Sequence, residues 1–246
     1  MSTTRPDPPL AAVLDLDGVI TRTAALHREA WKRTFDEYLR ANHPAQPPFD
    51  AESDYTSYVD GMPRLDGVRT FLESRGIDAP EGEPGDSVED GTVFGIGNTK
   101  NGRYNALLRE RGAEVFEDAV DRIRSWTSRG MPVAVVSSSR NCRAVLESVG
   151  LLDLFDARVD GETIAALGLP GKPAPDMYEE AARRLGVEPA QCVLVEDALS
   201  GVEAGRRGGF GLVVGVDRTG AHAEALRERG ADTVVRTLEE LRDEQS

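Results

Sequence analysis

Lysine is nearly absent: Lys32, Lys100 and Lys172 are the three in 246 residues, and arginine supplies every other basic side chain. Arginine is therefore the default surface cation, and a retained lysine marks a place where a compact ammonium is wanted. Cysteine is as scarce. Cys142 and Cys192 form neither a CxxC pair nor a metal-ligand spacing, so neither is assigned a function. Cys192 opens the apolar run CVLV and reads as a small buried hydrophobe. No continuous apolar run is long enough to span a bilayer, and MSTTRPDPPL at the start contains no hydrophobic signal segment; no membrane partner and a cytoplasmic location are expected. Positive charge is in deficit, with 29 Lys and Arg against 43 Asp and Glu, a formal net charge of −14. That balance argues against nucleic-acid or anionic-membrane binding, but not against a small phosphorylated substrate, because a pocket can be locally positive. No internal repeat or coiled coil is visible.

What is present is an alternation. AAVLDLD (11–17) is a short apolar run ending in carboxylates, followed by Gly18 and a helical pattern through His27, Trp31, Phe35 and Tyr38. Residues 44–103 differ in texture, with Pro44, Pro47 and Pro48, two short helical stretches and the acidic segment DAPEGEPGDSVEDG, which reads as a solvated loop. A helix is predicted to start near Thr99 and run through RYNALLRERG. From about residue 117 the pattern is regular: helix 117–129, strand MPVAVVS, helix 141–149, strand FDARV, helix 174–185, strand CVLVE, helix 199–207, strand GLVVGV, helix 221–229, strand DTVV and a last helix. Strands alternating with helices predict an α/β fold, a doubly wound parallel sheet with a Rossmann-like core. An α-helical cap inserted after the first strand completes the expected architecture. The expected core is 1–23 with 112–246, and the expected cap 24–111.

Such sheets bind ligands at the carboxyl ends of their strands, near the switch in strand order. Four places qualify: Asp15–Asp17, Ser137–Asn141, Lys172 in its loop, and Glu196–Asp197. In DLDGVI two carboxylates on alternate residues leave a strand end together, and a bound cation would remove their repulsion. A lone DxD is more often a solvated turn. A second acidic pair at another strand end weakens that reading and, with the first, makes a hard oxygen cage suited to Mg²⁺. VAVVSSSRN brings three hydroxyls to a helix start, where backbone N–H groups bind anions, although one serine also suits an ordinary N-cap. In GKPAPD, Lys172 sits between Gly171 and Pro173; a lone lysine in a loop is usually solvated, whereas one facing a metal-bound phosphate would neutralise charge that develops during transfer.

DLDGVIT, VSSSRN, KPAPD and VEDALSGVEAG, in this order, resemble the four motifs of the haloacid dehalogenase superfamily and cover the core from residue 11 to about 216. The resemblance implies that Asp15 attacks phosphorus to form an aspartyl-phosphate and that Asp17 acts as general acid and base. It implies that Ser137 and Lys172 hold the transferring group. Mg²⁺ would be bound by Asp15, the backbone carbonyl of Asp17, Asp197 and, directly or through water, Glu196.

TRTAALHREAWK (21–32), YVDGMPRLDGV (58–68) and GNTKN (97–101) are similar to cap elements of the β-phosphoglucomutase-like family. That likeness implies a hinge at Thr23, His27 near the nucleophile, and substrate or distal-phosphate contacts from Gly61, Arg64 and Lys100. Ser138, Ser139, Arg140 and Asn141 would line the core side. Blander roles exist for each: His27 as a surface residue, Arg64 as a partner of Asp60 or Asp66, Trp31 and Phe35 as packing. The expected activity is a sugar-phosphate mutase interconverting β-glucose 1-phosphate and glucose 6-phosphate through a 1,6-bisphosphate. The alternative is a phosphatase acting on a sugar phosphate or disaccharide phosphate. A monomer is expected. Against the family pattern, Asp60 replaces a lysine, Arg22 an acidic hinge residue, and Glu117–Asp118 the usual Pro-Gly of the return to the core.

Overall fold

The computed structural model describes residues 9–241. In chain order it contains strand β1 (Ala11–Asp15), helices α1 (Ala24–Asn42), α2 (Arg64–Ser74), α3 (Val93–Arg111) and α4 (Glu117–Ser128), strand β2 (Val133–Val136), helix α5 (Cys142–Ser148) and strand β3 (Ala157–Val159). Helices α6 (Gly161–Leu167) and α7 (Asp176–Leu185), strand β4 (Cys192–Glu196), helix α8 (Leu199–Arg207), strand β5 (Leu212–Val216), helix α9 (Ala223–Arg229) and strand β6 (Thr233–Val235) follow. The chain divides into two compact units. One holds the described residues up to Thr21 and those from Val115 onward; the other is Arg22–Glu114.

The first unit is built on one parallel sheet in the order β3-β2-β1-β4-β5-β6. β1, β2 and β4 are buried along their whole length, which is why they read as near-continuous apolar runs rather than alternating ones. The chain winds outward from β1 to β3, returns to β4 beside β1 and winds outward the other way, so the switch in strand order lies between β1 and β4. Register places the chemistry there. Leu14 pairs with Val195, so Glu196 follows beside Asp15; Asp15 pairs with Val136, so Ser137 comes next at the tip of β2. The core joins strand residues such as Val13, Val136 and Leu194 to Met177, Tyr178 and Ala181 of α7 and Val202 of α8. Cys192 is fully buried in it, as its apolar run predicts.

The second unit is helical. α1 buries Leu26, Ala30, Trp31, Phe35, Tyr38 and Leu39, a stripe at three- and four-residue spacing. Phe35 stacks between Trp31 and Phe49, and its ring lies 4.1 Å from that of Phe71 in α2. Trp31 and Phe35 are thus packing residues, as expected. No helix among the described residues is long and apolar enough to cross a membrane.

Three expectations about elements need correction. α3 begins at Val93, not near Thr99. Gly95 and Gly97 lower its helix propensity, yet each permits a close approach: a Cβ on Gly95 would lie 1.9 Å from the Ser87 carbonyl oxygen, and one on Gly97 2.8 Å from Leu65. Between β3 and α7 the chain forms α6, for which no helix was expected; Asp160 caps it by accepting from the N–H groups of Glu162 and Thr163. The last helix is a short 3₁₀ turn at Leu238–Glu240, and the residues after Leu241 lie outside those described.

Candidate active site

Asp15 ends β1, is 5% exposed, and accepts two hydrogen bonds of opposite origin. The backbone N–H of Asp17 donates to its Oδ2 at 2.8 Å, and the Lys172 ammonium donates to its Oδ1 at 2.5 Å. Lys172 also donates to Glu196 Oε1, which accepts a further bond from the Tyr178 hydroxyl at 2.7 Å. Glu196 Oε2 accepts from the Ala198 backbone N–H at 2.5 Å. Both oxygens of Glu196 are therefore engaged inside the protein. Gly201 allows this, because a Cβ there would stand 1.8 Å from Oε1.

Burial, above all, pushes the Asp15 carboxyl well above the usual range; Lys172 opposes that shift, while Glu196 and Asp17 reinforce it. Burial alone would lower the pKa of Lys172, but Asp15 and Glu196 outweigh it and the ammonium is held well above its ordinary value. A permanently charged lysine between two buried carboxylates is a fixed positive centre at the switch point of the sheet.

The loop after β1 is tied back on itself. Thr21 N–H and Ile20 N–H both donate to the Leu16 carbonyl, Gly18 N–H donates to the Thr21 carbonyl, and Gly18 takes φ +87°. A Cβ at Gly18 would fall 1.8 Å from Asp197 Oδ2, so the Asp197 carboxylate lies directly against this loop. Asp17 Oδ2 accepts from Ser137 Oγ at 3.3 Å. The hydroxyl turn after β2 is organised in series: Ser139 N–H donates to Ser137 Oγ and Asn141 N–H to Ser139 Oγ, with Ser138 against Met177 Sδ and Arg140 exposed. Gly161 is required beneath it, since a Cβ would stand 2.7 Å from the Arg140 nitrogen.

Asp15, Asp17, Ser137, Lys172, Glu196 and Asp197 thus gather around the tips of β1, β2 and β4. Among the described residues, no three His, Cys, Asp or Glu side chains are close enough to hold a metal ion by themselves. The donor chemistry nevertheless fits Mg²⁺, which takes one or two carboxylates and completes its octahedron with water and substrate phosphate. The side chains of Asp15 and Asp197 and the backbone carbonyl of Asp17 are such a set, while Glu196 holds Lys172 and Tyr178. Nothing in the sequence singles out Tyr178. A tyrosine on an amphipathic helix looks like core, and only its hydroxyl's partner reveals more.

The other expected residues lie in the helical unit. Thr23 is fully buried at the start of α1, where its carbonyl accepts from the N–H groups of Leu26 and His27. His27 Nδ1 and Lys100 Nζ are 2.7 Å apart, and the imidazole stacks on Tyr104 at 3.9 Å. A charged ammonium can only donate, so Nδ1 accepts. Lys100 is 5% exposed and lies over the Trp31 ring at 4.7 Å. Arg64, at the start of α2, donates to Asn98 Oδ1 at 3.4 Å, and Gly61 takes φ +71° in the turn before it. Asp66 pairs with Arg69.

Residues 10–209 match the haloacid dehalogenase-like hydrolase family. A β-phosphoglucomutase of Mycobacterium bovis is 50% identical over 242 residues, covering 96% of this chain and 92% of that protein. A β-phosphoglucomutase of Bacillus subtilis is 31% identical, covering 94% and 91%. The crystal structure of a β-phosphoglucomutase from Clostridium difficile superposes with a TM-score of 0.74 at 26% identity, covering 96% of this chain and 94% of that one. The chain therefore belongs to the haloacid dehalogenase superfamily, in its β-phosphoglucomutase-like family, and is an enzyme of phosphoryl transfer.

Proposed function

We propose that the protein is a Mg²⁺-dependent sugar-phosphate mutase that interconverts β-glucose 1-phosphate and glucose 6-phosphate through a 1,6-bisphosphate. The sheet unit is its catalytic core and the helical unit its cap. The buried Asp15–Lys172–Glu196 chain at the switch point, with Asp17 two residues from Asp15, supports phosphoryl transfer, and the likeness to β-phosphoglucomutases over nearly the whole chain favours the mutase.

Asp15 attacks the C1 phosphorus of the bisphosphate while the P–O bond to the departing sugar oxygen breaks, leaving glucose 6-phosphate. Asp17 donates its proton to that oxygen. In the second half-reaction Asp17 takes the proton from the 6-hydroxyl of β-glucose 1-phosphate, which attacks the aspartyl-phosphate, releases Asp15 and re-forms the 1,6-bisphosphate. Lys172 neutralises negative charge on the transferring group, and Ser137 with the turn 138–141 supplies hydrogen-bond donors to its oxygens. Glu196 and Tyr178 keep the lysine in place. Asp15, Asp197 and the Asp17 carbonyl would hold Mg²⁺, which when bound would supply Lewis-acid stabilisation of the phosphoryl oxygens. Gly61, Arg64, Lys100 and His27 of the cap grip the substrate and its second phosphate, an arrangement for which the guanidinium fork of Arg64 is suited.

The experiment follows β-glucose 1-phosphate by a coupled assay for glucose 6-phosphate, with and without added bisphosphate, while free phosphate is measured in parallel. Isomer formation that depends on bisphosphate is expected. Phosphate release with no isomer would replace the mutase by a phosphatase using the same Asp15 and Asp17.

A further inference from the structure

We propose that Arg218, together with Asp118, clamps the loop that carries Asp17, and that Arg218 is thereby a positioning residue for the acid–base step. The inference rests on the reading of Asp17 as the acid–base group.

Arg218 follows β5 by two residues and does not belong to the constellation above. Its guanidinium nonetheless reaches the loop after β1: one amino group donates to the Val19 carbonyl at 3.0 Å. The other donates to Asp118 Oδ2 at 2.6 Å and to the Arg236 carbonyl at 3.1 Å. The guanidinium carbon lies 4.0 Å from the centre of the Phe116 ring. The two side chains are only 17% and 13% exposed, so the pair is largely shielded from water and salt. Asp118 is itself fixed, accepting the Leu238 N–H at 2.7 Å on the same oxygen from the first turn of α4.

The geometry assigns the clamp a target. Val19 lies within the turn closed by the bonds from Ile20 and Thr21 to Leu16, is fully buried, and stands two residues from Asp17. Phe116, under the guanidinium, donates its N–H to the Ile20 carbonyl, and Val115 bridges to Thr21. Arg218 therefore fastens both sides of the same turn: the turn itself through Val19 and the segment paired with it through Phe116 and Asp118. Internal bonds can keep the turn's shape, but they cannot prevent it from rocking as a body about the end of β1. A side chain anchored on β5, β6 and α4 can. Catalysis by a proton donor is sensitive to displacements of about 1 Å, which cost on the order of 10²-fold. Asp118 stands where the family pattern has glycine, a residue with no carboxylate to offer Arg218.

The test compares Arg218→Met, Asp118→Asn and the double variant with the wild-type enzyme saturated with Mg²⁺. The measurements are kcat and KM, the thermal midpoint, and amide hydrogen exchange over residues 16–21 and 115–118. Arg218→Met is expected to lower kcat roughly 10- to 100-fold with KM nearly unchanged. Amides of 16–21 should exchange faster while those of β4 keep their protection. The double variant should be no slower than Arg218→Met, since both substitutions open the same clamp. Unchanged kcat in Arg218→Met overturns the proposal, and so does a lowered midpoint with wild-type kcat per folded molecule and wild-type exchange. Asp17→Ala, run alongside, separates the two readings. It should lose roughly 10²–10⁴ in kcat. Full turnover there removes the acid–base role of Asp17, whereas a silent Arg218→Met with an impaired Asp17→Ala removes the clamp alone.

Discussion

Lys172 stands between two carboxylates that would otherwise face one another with almost no water present: Asp15 is 5% exposed and Glu196 fully buried. Removing one partner of a buried ionic group leaves an uncompensated charge and costs about 3–5 kcal/mol. Lys172→Met keeps the apolar stem and deletes the ammonium, so a loss of that order is expected in urea unfolding with a chelator present. Added Mg²⁺ should recover part of it, because a divalent cation beside Asp15 answers the same repulsion. Equal losses with and without Mg²⁺ would show that the cation does not bind beside Asp15. The candidate carboxylates were legible as residues, since DLDG and VED sit at the ends of apolar runs. The use made of Glu196 was not. Its partners Lys172 and Tyr178 are 24 and 18 positions away, and only the packing of α7 against the sheet brings them to it.

The start of α3 illustrates the same division between elements. Thr92 Oγ1 accepts from the Gly95 N–H at 3.0 Å and donates to Asp86 at 2.8 Å, so a single hydroxyl caps the helix and pins the acidic segment before it. Thr92→Ala should therefore destabilise the fold by about 1 kcal/mol, in the range of other N-cap losses, and denaturant unfolding is the measurement. A neutral substitution would mean that the cap adds nothing to a helix already held by packing. The expected start near Thr99 comes six residues late, because a local reading takes no account of a neighbouring carbonyl at Ser87 or of Leu65 on α2. The strands were easier to place. Burial on both faces imposes unbroken apolar runs, and these are visible without any knowledge of their neighbours.

At the scale of the whole molecule, the net charge of −14 is distributed so that single glutamates serve two arginines. Glu29 meets Arg33 and Arg111, Glu180 meets Arg183 and Arg184, and Glu203 meets Arg207 and Arg229. Hydrogen bonding from Arg183, aided by Arg184, holds the Glu180 carboxyl at about 2, against an ordinary 4.5. A depressed pKa contributes stability that is fully present above the unfolded value and lost as the pH falls through the folded one. Glu180→Gln should thus lower the thermal midpoint at pH 7, with a difference from wild type that shrinks between about pH 4.5 and pH 2. A difference that stays constant over that window would assign the loss to packing rather than to charge.

The sequence by itself determined the alternation of strand and helix, the placement of carboxylates, hydroxyls and Lys172 at strand ends, and the family. Each is written in local pattern: hydrophobic period, turn residues and short motifs in order. Only the tertiary structure decided that Lys172 lies between Asp15 and Glu196, that Tyr178 completes that chain, and that Arg218 reaches Val19 across 199 positions. Such contacts follow from the order in which parallel strands return to the sheet. That order is a balance of crossovers and packing spread over the whole chain, and no local stretch of residues carries it.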